Sequence, residues 1–229
     1  MNNTPPLMTI AVLGGTGKEG KGLVYRWAKA GVRVLIGSRS QEKARATAIE
    51  LIELLGSGTI IEGFTNFAAA QLAEIVALAV PYTAHRETLE LIKHELQGKI
   101  LIDVTVPLVP PKVYKVQMPS AGSAAQEAYE ILGEGVQVTS AFQNISYEHL
   151  LQDVPVECDI LVTGTSREAR SETLKLVAAA GLTGWDAGPI ENSVVVEGMT
   201  SVLIGINKRY GSKSSGIRIV GVQAPARES

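Results

Sequence analysis

Short apolar runs alternate with longer amphipathic stretches over the first hundred residues. Met8 to Leu13 is an apolar run with β-branched members, stopped by Gly14-Gly15, and predicts a buried strand. Lys18 to Ala30 places Leu23, Val24 and Trp27 at helical spacing and meets a C-terminal stop at Gly31. The same logic predicts a strand over Val32 to Ile36 and a helix over Gln41 to Leu55, closed by Gly56. Thr59 to Ile61 reads as a third strand and Ala68 to Ala73 as a short helix. Ile75 to Val80 is a fourth strand stopped by Pro81, Ala84 to Leu96 a helix, and Ile100 to Ile102 a fifth strand. Strands apolar on both faces, alternating with helices, require a parallel sheet covered on both sides. Right-handed crossovers then make it a doubly wound, Rossmann-like α/β sheet, with its ligand crevice at the strand C-termini.

After Asp103 the rhythm changes. Pro107, Pro110 and Pro111 mark an irregular loop; Ser123 to Leu132 reads as a helix and Val136 to Thr139 as a strand. A further strand–helix–strand unit follows over Glu157 to Thr163, Ser166 to Ala180 and Leu182 to Asp186. Ile190 to Tyr210 is a closing helix whose stripe of Val195, Met199, Val202, Leu203 and Ile206 either covers the sheet or forms a dimer contact. The expectation is a mostly parallel sheet of roughly six to eight strands. A soft boundary near Leu150 separates a dinucleotide-binding portion, 1–150, from a smaller C-terminal α/β portion, 151–229. The tail from Gly221 to Ser229 is expected to fray.

Composition narrows the partners. The 229 residues carry Lys+Arg 21 against Asp+Glu 23, a formal charge of -2 with no field to draw nucleic acid or anionic membrane. Cys158 is the single cysteine and the three histidines are scattered, so no metal-ligand spacing exists and a reducing cytoplasm is expected. Met1 to Gly17 holds no Lys or Arg to open a signal peptide, and no apolar run approaches ~18 residues, so a soluble chain is expected.

The chemistry begins at Gly15-Thr16-Gly17-Lys18-Glu19-Gly20, a G-x-G-x-x-G pattern between a predicted strand and a predicted helix. In that context the glycines permit a tight turn, close approach of a pyrophosphate and helix packing, while the helix N-terminus offers unpaired N–H groups. The bland alternative is a turn that merely needs small residues. A Walker A loop is a rival, since Gly15 to Lys21 also fits its first seven positions. The next residue is Gly22, so the Mg²⁺-holding hydroxyl is missing.

The end of the second strand selects the dinucleotide. NAD sites commonly place a carboxylate there to bind the ribose 2′-hydroxyl. This chain reads Gly37-Ser38-Arg39-Ser40, with Lys43 a helical turn on. A hydroxyl and two cations suit a 2′-phosphate, which a carboxylate would repel, and cations otherwise oppose a helix dipole at that end. NADP(H) is the expected cofactor.

The chain also resembles a known family, the NADP-dependent reductases of coenzyme F420, or F420H2:NADP oxidoreductases. The resemblance runs from about Thr9 to Ile219. It is carried by Gly14-Gly-Thr-Gly17, Gly20-Lys-Gly22, Gly37-Ser-Arg39, Glu42-Lys43-Ala44, Val80-Pro81, Pro107-Leu-Val-Pro110 and Ser140-Ala141-Phe142, then Asp186-Ala-Gly-Pro189, Asn192-Ser193 and Glu197. It implies an oxidoreductase passing a hydride between nicotinamide C4 of NADP(H) and C5 of the deazaflavin, with no obligatory catalytic side chain. By resemblance Thr16, Gly17, Lys18 and Glu19 cradle the pyrophosphate, and Ser38, Arg39 and Lys43 hold the 2′-phosphate. Val80, Pro81 and Val109 line the nicotinamide side with Ala141 nearby, and Gln143, Ile145, Tyr147 and Ser215 meet the deazaflavin. Against the family pattern, Gln143 stands where histidine is usual, Tyr147 where a small residue is usual, and Glu19 where apolar residues are frequent. Lys112, Lys115, Lys208, Arg209, Lys213 and Arg218 are candidates to meet the coenzyme's anionic tail.

The other polar residues read plainly. His85 is expected on a helix surface, with ribose or phosphate contact as the alternative; His94 in solvent; His149 at a pocket edge; Cys158 as packing. An NADPH reductase of another acceptor (imine, flavin or ferric chelate) and a non-catalytic NADP(H) sensor remain as alternative functions.

Overall fold

The computed structural model describes residues 8–56, 58–152 and 155–223. Its strands are β1 (Thr9–Leu13), β2 (Arg33–Ser38), β3 (Ile61–Thr65), β4 (Ile75–Leu78), β5 (Ile100–Asp103), β6 (Gln137–Ser140), β7 (Asp159–Gly164) and β8 (Thr183–Pro189). The helices are α1 (Lys18–Lys29), α2 (Gln41–Leu55), α3 (Asn66–Leu72), α4 (Tyr82–Ile92), α5 (Ala124–Leu132), α6 (Tyr147–Leu150), α7 (Arg167–Ala179) and α8 (Ser193–Tyr210). All eight strands form one sheet in the order β3-β2-β1-β4-β5-β6-β7-β8. Only the β6–β7 pairing is antiparallel. The chain leaves β1 to wind one way through β2 and β3, then returns to β4, so the order reverses beside β1 and opens a crevice there.

Each face of the sheet carries its own core. On one side Leu23, Val24 and Trp27 of α1, Leu51 of α2 and Leu176 of α7 pack on Ile10, Val12 and Ile36. On the other, Ala69 of α3, Leu89 and Ile92 of α4 and Leu132 of α5 pack on Ala11, Leu13 and Leu78. Burial on both faces is the reason the central strands read as unbroken apolar runs.

Two expectations are corrected, and a third point is refined. The third strand lies at 61–65 rather than 59–61, pairing Val34 with Ile61 through Ser38 with Thr65. Glu62-Gly63 resembles a turn, but Gly63 sits in the strand because a side chain there would run into the backbone of Ala44 and Arg45 in α2. His85 is fully buried rather than on the surface. The stripe of α8 is divided: Leu203 is buried, whereas Val195 and Val202 are 63% and 46% exposed, so the helix does not lay that face on its own sheet. The short helix α6 had no counterpart in the sequence pattern. Residues 224–229 of the tail expected to fray lie outside the described residues.

Candidate functional site

The glycine loop is tied to the end of β2. The backbone N–H groups of Gly14 and Gly15 both donate to Gly37 O, at 3.0 and 3.2 Å, which sets Ser38 and Arg39 beside the loop. Gly20 admits no side chain, because a Cβ would come 2.5 Å from Gly14 O and 2.8 Å from Gly15 Cα. Capping is unevenly distributed. Ser40, Thr65, Ser123, Ser146 and Ser166 cap α2, α3, α5, α6 and α7 with their side chains. By contrast α1 and α4 begin at Gly17 and Pro81 with no side-chain cap, and both begin at the crevice. Their unpaired N–H groups and positive dipole ends are therefore open to an anionic ligand.

Three chambers join along the C-terminal edge of the sheet. The first, about 350 Å³, is lined by Thr16, Gly17, Ser38, Arg39, Lys43 and Val80, with Asn66 and Thr88 deeper in. Arg39 and Lys43 are exposed and make no ion pair among the described residues, while Ser40 caps their helix start by accepting from Lys43 N at 3.3 Å. The second, about 450 Å³, shares Gly17, Val80 and Pro81 with the first and adds Lys18, Glu19, Tyr82, Val104, Thr105, Val106, Leu108 and Pro110. The third, about 380 Å³, shares Glu19, Val104, Val106 and Leu108 with the second. Gln143, Asn144, Ile145, Tyr147, Thr200, Lys213 and Ser215 complete its wall.

The third chamber is held by polar anchors. Gln143 donates through Nε2 to Asp103 O at 2.7 Å and to Ser140 Oγ at 2.8 Å, and Thr200 Oγ1 donates to Gln143 O at 2.8 Å. Phe142 before it takes a left-handed φ of 73°, costing about 1–2 kcal/mol, and stands edge-on to Trp27 at 5.7 Å. That turn redirects the chain from β6 across the crevice mouth. Lys18 Nζ donates to Tyr147 OH at 3.3 Å and lies 4.8 Å from the ring centre, bridging the glycine-loop helix to α6. Ser215 is fixed by its N–H donating to Asn207 Oδ1 at 3.0 Å.

Behind the second chamber lies a buried charged cluster. His85 Nε2 donates to Asp103 Oδ2 at 2.7 Å, and its Nδ1 stands 3.5 Å from Glu127 Oε2. Burial works against the histidine's charged form, but Asp103, then Glu127 and Glu197, outweigh it and raise the pKa. Tyr82 OH donates to Glu127 at 3.0 Å, and Arg86 pairs with Glu127 at 2.6 Å. Asp103 is 18 residues from His85 in sequence and meets it only in the folded chain, so no local pattern pairs the two.

The expected residues gather here unevenly. Thr16, Gly17, Lys18, Glu19, Ser38, Arg39, Lys43, Val80, Pro81, Gln143, Ile145, Tyr147 and Ser215 all line the chambers. Val109 does not; it is 41% exposed, and its neighbours Leu108 and Pro110 line the second chamber instead. Ala141 is fully buried and lines none of the three chambers. Asn66 escaped sequence reading because it follows β3, which the sequence pattern placed too early. Of the tail candidates, Lys213 lines the third chamber, Lys208 sits 5.4 Å from the centre of the Tyr114 ring and Arg218 lies 3.8 Å from Glu157. His149 Nε2 lies 3.2 Å from Ser214 O, and Cys158 is buried, its thiol pKa raised by that burial. Among the described residues no group of three His, Cys, Asp or Glu is placed to hold a metal, and no helix is long and apolar enough to cross a membrane.

A doubly wound sheet, with a glycine loop running into an uncapped helix at the strand reversal, defines a Rossmann-like dinucleotide-binding protein. Residues 9–107 match the family described as NADP oxidoreductase, coenzyme F420-dependent. The F420-dependent NADP reductase of Methanocaldococcus jannaschii is 39% identical over 94% of this chain and 100% of its own length. That of Methanothermobacter thermautotrophicus is 40% identical over 94% of this chain and 96% of its own. The chain belongs to this family of F420-dependent NADP reductases. In fold it is similar to a candidate F420-dependent NADP-reductase from Arthrobacter sp. FB24, with a TM-score of 0.78 at 23% identity over 93% of this chain and 99% of the other.

Proposed function

We infer that this protein is an oxidoreductase that passes a hydride between NADP(H) and coenzyme F420. The observation that carries the reading is the continuity of the three chambers: the first meets the second at Gly17, Val80 and Pro81, and the second meets the third at Val104, Val106 and Leu108. One ligand entering past the glycine loop and another entering past Tyr147 would bring their rings together there. Family membership supports the same pair of substrates.

The residues fit the groups they would hold. Thr16, Gly17 and Lys18 at the open end of α1 would take the pyrophosphate, and Ser38, Arg39 and Lys43 the 2′-phosphate. Val80 and Pro81, with Leu108 and Pro110, would shape the nicotinamide side. Gln143, Ile145, Tyr147 and Ser215 would hold the deazaflavin, so that portion 1–150 carries the NADP site and portion 151–229 completes the acceptor site. The two carriers supply the hydride chemistry. The protein aligns their rings and, through its apolar wall of valines and leucine, keeps water from between them. Mixing the protein with NADPH and oxidised F420 should bleach the deazaflavin's visible band, and the absence of bleaching would reject the acceptor.

Lys213 on the wall of the third chamber suits the coenzyme's anionic tail. Lys213→Glu is expected to raise the Michaelis constant for F420 several-fold at low salt and by less at high salt, where screening shortens the reach of charge. An unchanged constant at low salt would remove Lys213 from the site. The exposed α8 face, with Val195, Val202 and Ile206 at 63%, 46% and 40%, supports a homodimer, which sedimentation tests. A cytoplasmic setting is consistent with a single buried thiol.

A further inference from the structure

Glu19 occupies the junction of the second and third chambers, sharing that wall with Val104, Val106 and Leu108. It is the only acidic side chain lining either chamber among the described residues. Its Oε1 is sealed from solvent and has no hydrogen-bond partner among the described residues. A carboxylate in such a place is costly without a cation, and here burial alone pushes its pKa up to about 8. The segment from Val104 to Leu108 that lines the junction with it carries no titratable group. The titratable groups around the two chambers are Lys18 beside it, Tyr82 of α4, Tyr147 of α6 and Lys213 after α8, and Lys18 is engaged with Tyr147.

The two redox states of nicotinamide differ by one positive charge on the ring. We propose that Glu19 reads that charge: its carboxyl is protonated in the free protein and in the NADPH complex, and ionised, its proton released to solvent, in the NADP⁺ complex. The inference rests on the reading of the second chamber as the nicotinamide site. Glu19 is thereby a specificity-determining residue, favouring the oxidised dinucleotide increasingly as pH rises. It also accounts for a proton: reduction of the deazaflavin by NADPH takes up one proton with the hydride, and Glu19 frees one where the rings meet as the nicotinamide becomes cationic.

An opposite charge within about 4–6 Å lowers a carboxyl pKa by roughly 1–3 units, and each unit is tenfold in relative affinity. Calorimetric titration should therefore show the ratio of the NADP⁺ to the NADPH dissociation constant falling about tenfold or more between pH 6 and pH 9. Titration of the 2′-phosphate is common to both ligands and cancels in the ratio. A pH-indicator dye in weak buffer should report more protons released on binding NADP⁺ than on binding NADPH near pH 7. Glu19→Gln, isosteric with the neutral acid, should flatten the ratio and abolish the excess release on NADP⁺. A wild-type ratio independent of pH, or a slope that survives in the Gln variant, would overturn the proposal. A protein that binds neither dinucleotide overturns both this and the functional reading. One that shows the slope yet bleaches no deazaflavin keeps the role of Glu19 and loses only the acceptor.

Discussion

Arg39→Ala is expected to weaken NADPH binding by about 1.5–3 kcal/mol, roughly ten- to 150-fold, and to leave NADH binding nearly unchanged. The reason is local. Arg39 follows the last residue of β2, exposed at the mouth of the first chamber with Ser38 and Lys43 on the same wall. A planar guanidinium suits phosphate oxygens in pairs, and nothing in NADH takes the place of the missing phosphate. Lys43→Ala should have the same sign and a smaller effect, since an ammonium at that exposed position acts as a point charge. Direct titration with both nucleotides checks the pair. Equal losses for NADPH and NADH would mean that Arg39 supports the loop rather than the phosphate.

Glu197→Ala is expected to destabilise the fold by about 2–4 kcal/mol, lowering the melting temperature by roughly 5–15 °C. Glu197 projects from α8 and is fully buried. Its carboxyl accepts from Ala124 N at 2.7 Å and Ala125 N at 3.1 Å, the first two N–H groups of α5, while Ser123 serves Gln126 N. Truncation leaves two buried donors unpaired, each costing about 1–3 kcal/mol. Burial first, and the Asp103 carboxyl second, push Glu197 from 4.5 up to about 8, against the two N–H donors and His85, which pull it down. A folded pKa above the unfolded one means stability fully present below about pH 4.5 and lost as pH rises through about 8. Glu197→Gln keeps an acceptor and stays neutral, so it should melt more like wild type and lose less between pH 7 and pH 9. Glu19 titrates with the same sign, so some alkaline loss remains. An alanine variant as stable as wild type at pH 7 would show that α5 does not depend on this cap.

Much of the fold was legible because periodicity reports burial. The boundaries of α1 and α2 were readable within a residue, since Gly31 and Gly56 mark their ends and amphipathic spacing marks their bodies. The 2′-phosphate corner was legible for a related reason: Ser38, Arg39 and Lys43 are close in sequence and follow a strand end, so local geometry alone brings them together. The acceptor side was harder. Gln143, Lys213 and Ser215 share a chamber with Glu19 although nearly 200 residues separate its ends, and that proximity depends on α8 and the segment after it folding back over the sheet edge. His85 misled because helical spacing identifies a face but not what covers it; α5 and Asp103 cover it here.

By itself the sequence determined the alternation of strands and helices, the glycine turn and the charge at the end of β2, because each depends on residues within a few positions of one another. It took the packed chain to show that β7 and β8 extend the same sheet, that Leu108 rather than Val109 meets the cleft, and that Glu19 stands between two chambers. Those outcomes depend on which surfaces are desolvated together, and burial is a property of packed neighbours that no short stretch of chain carries alone.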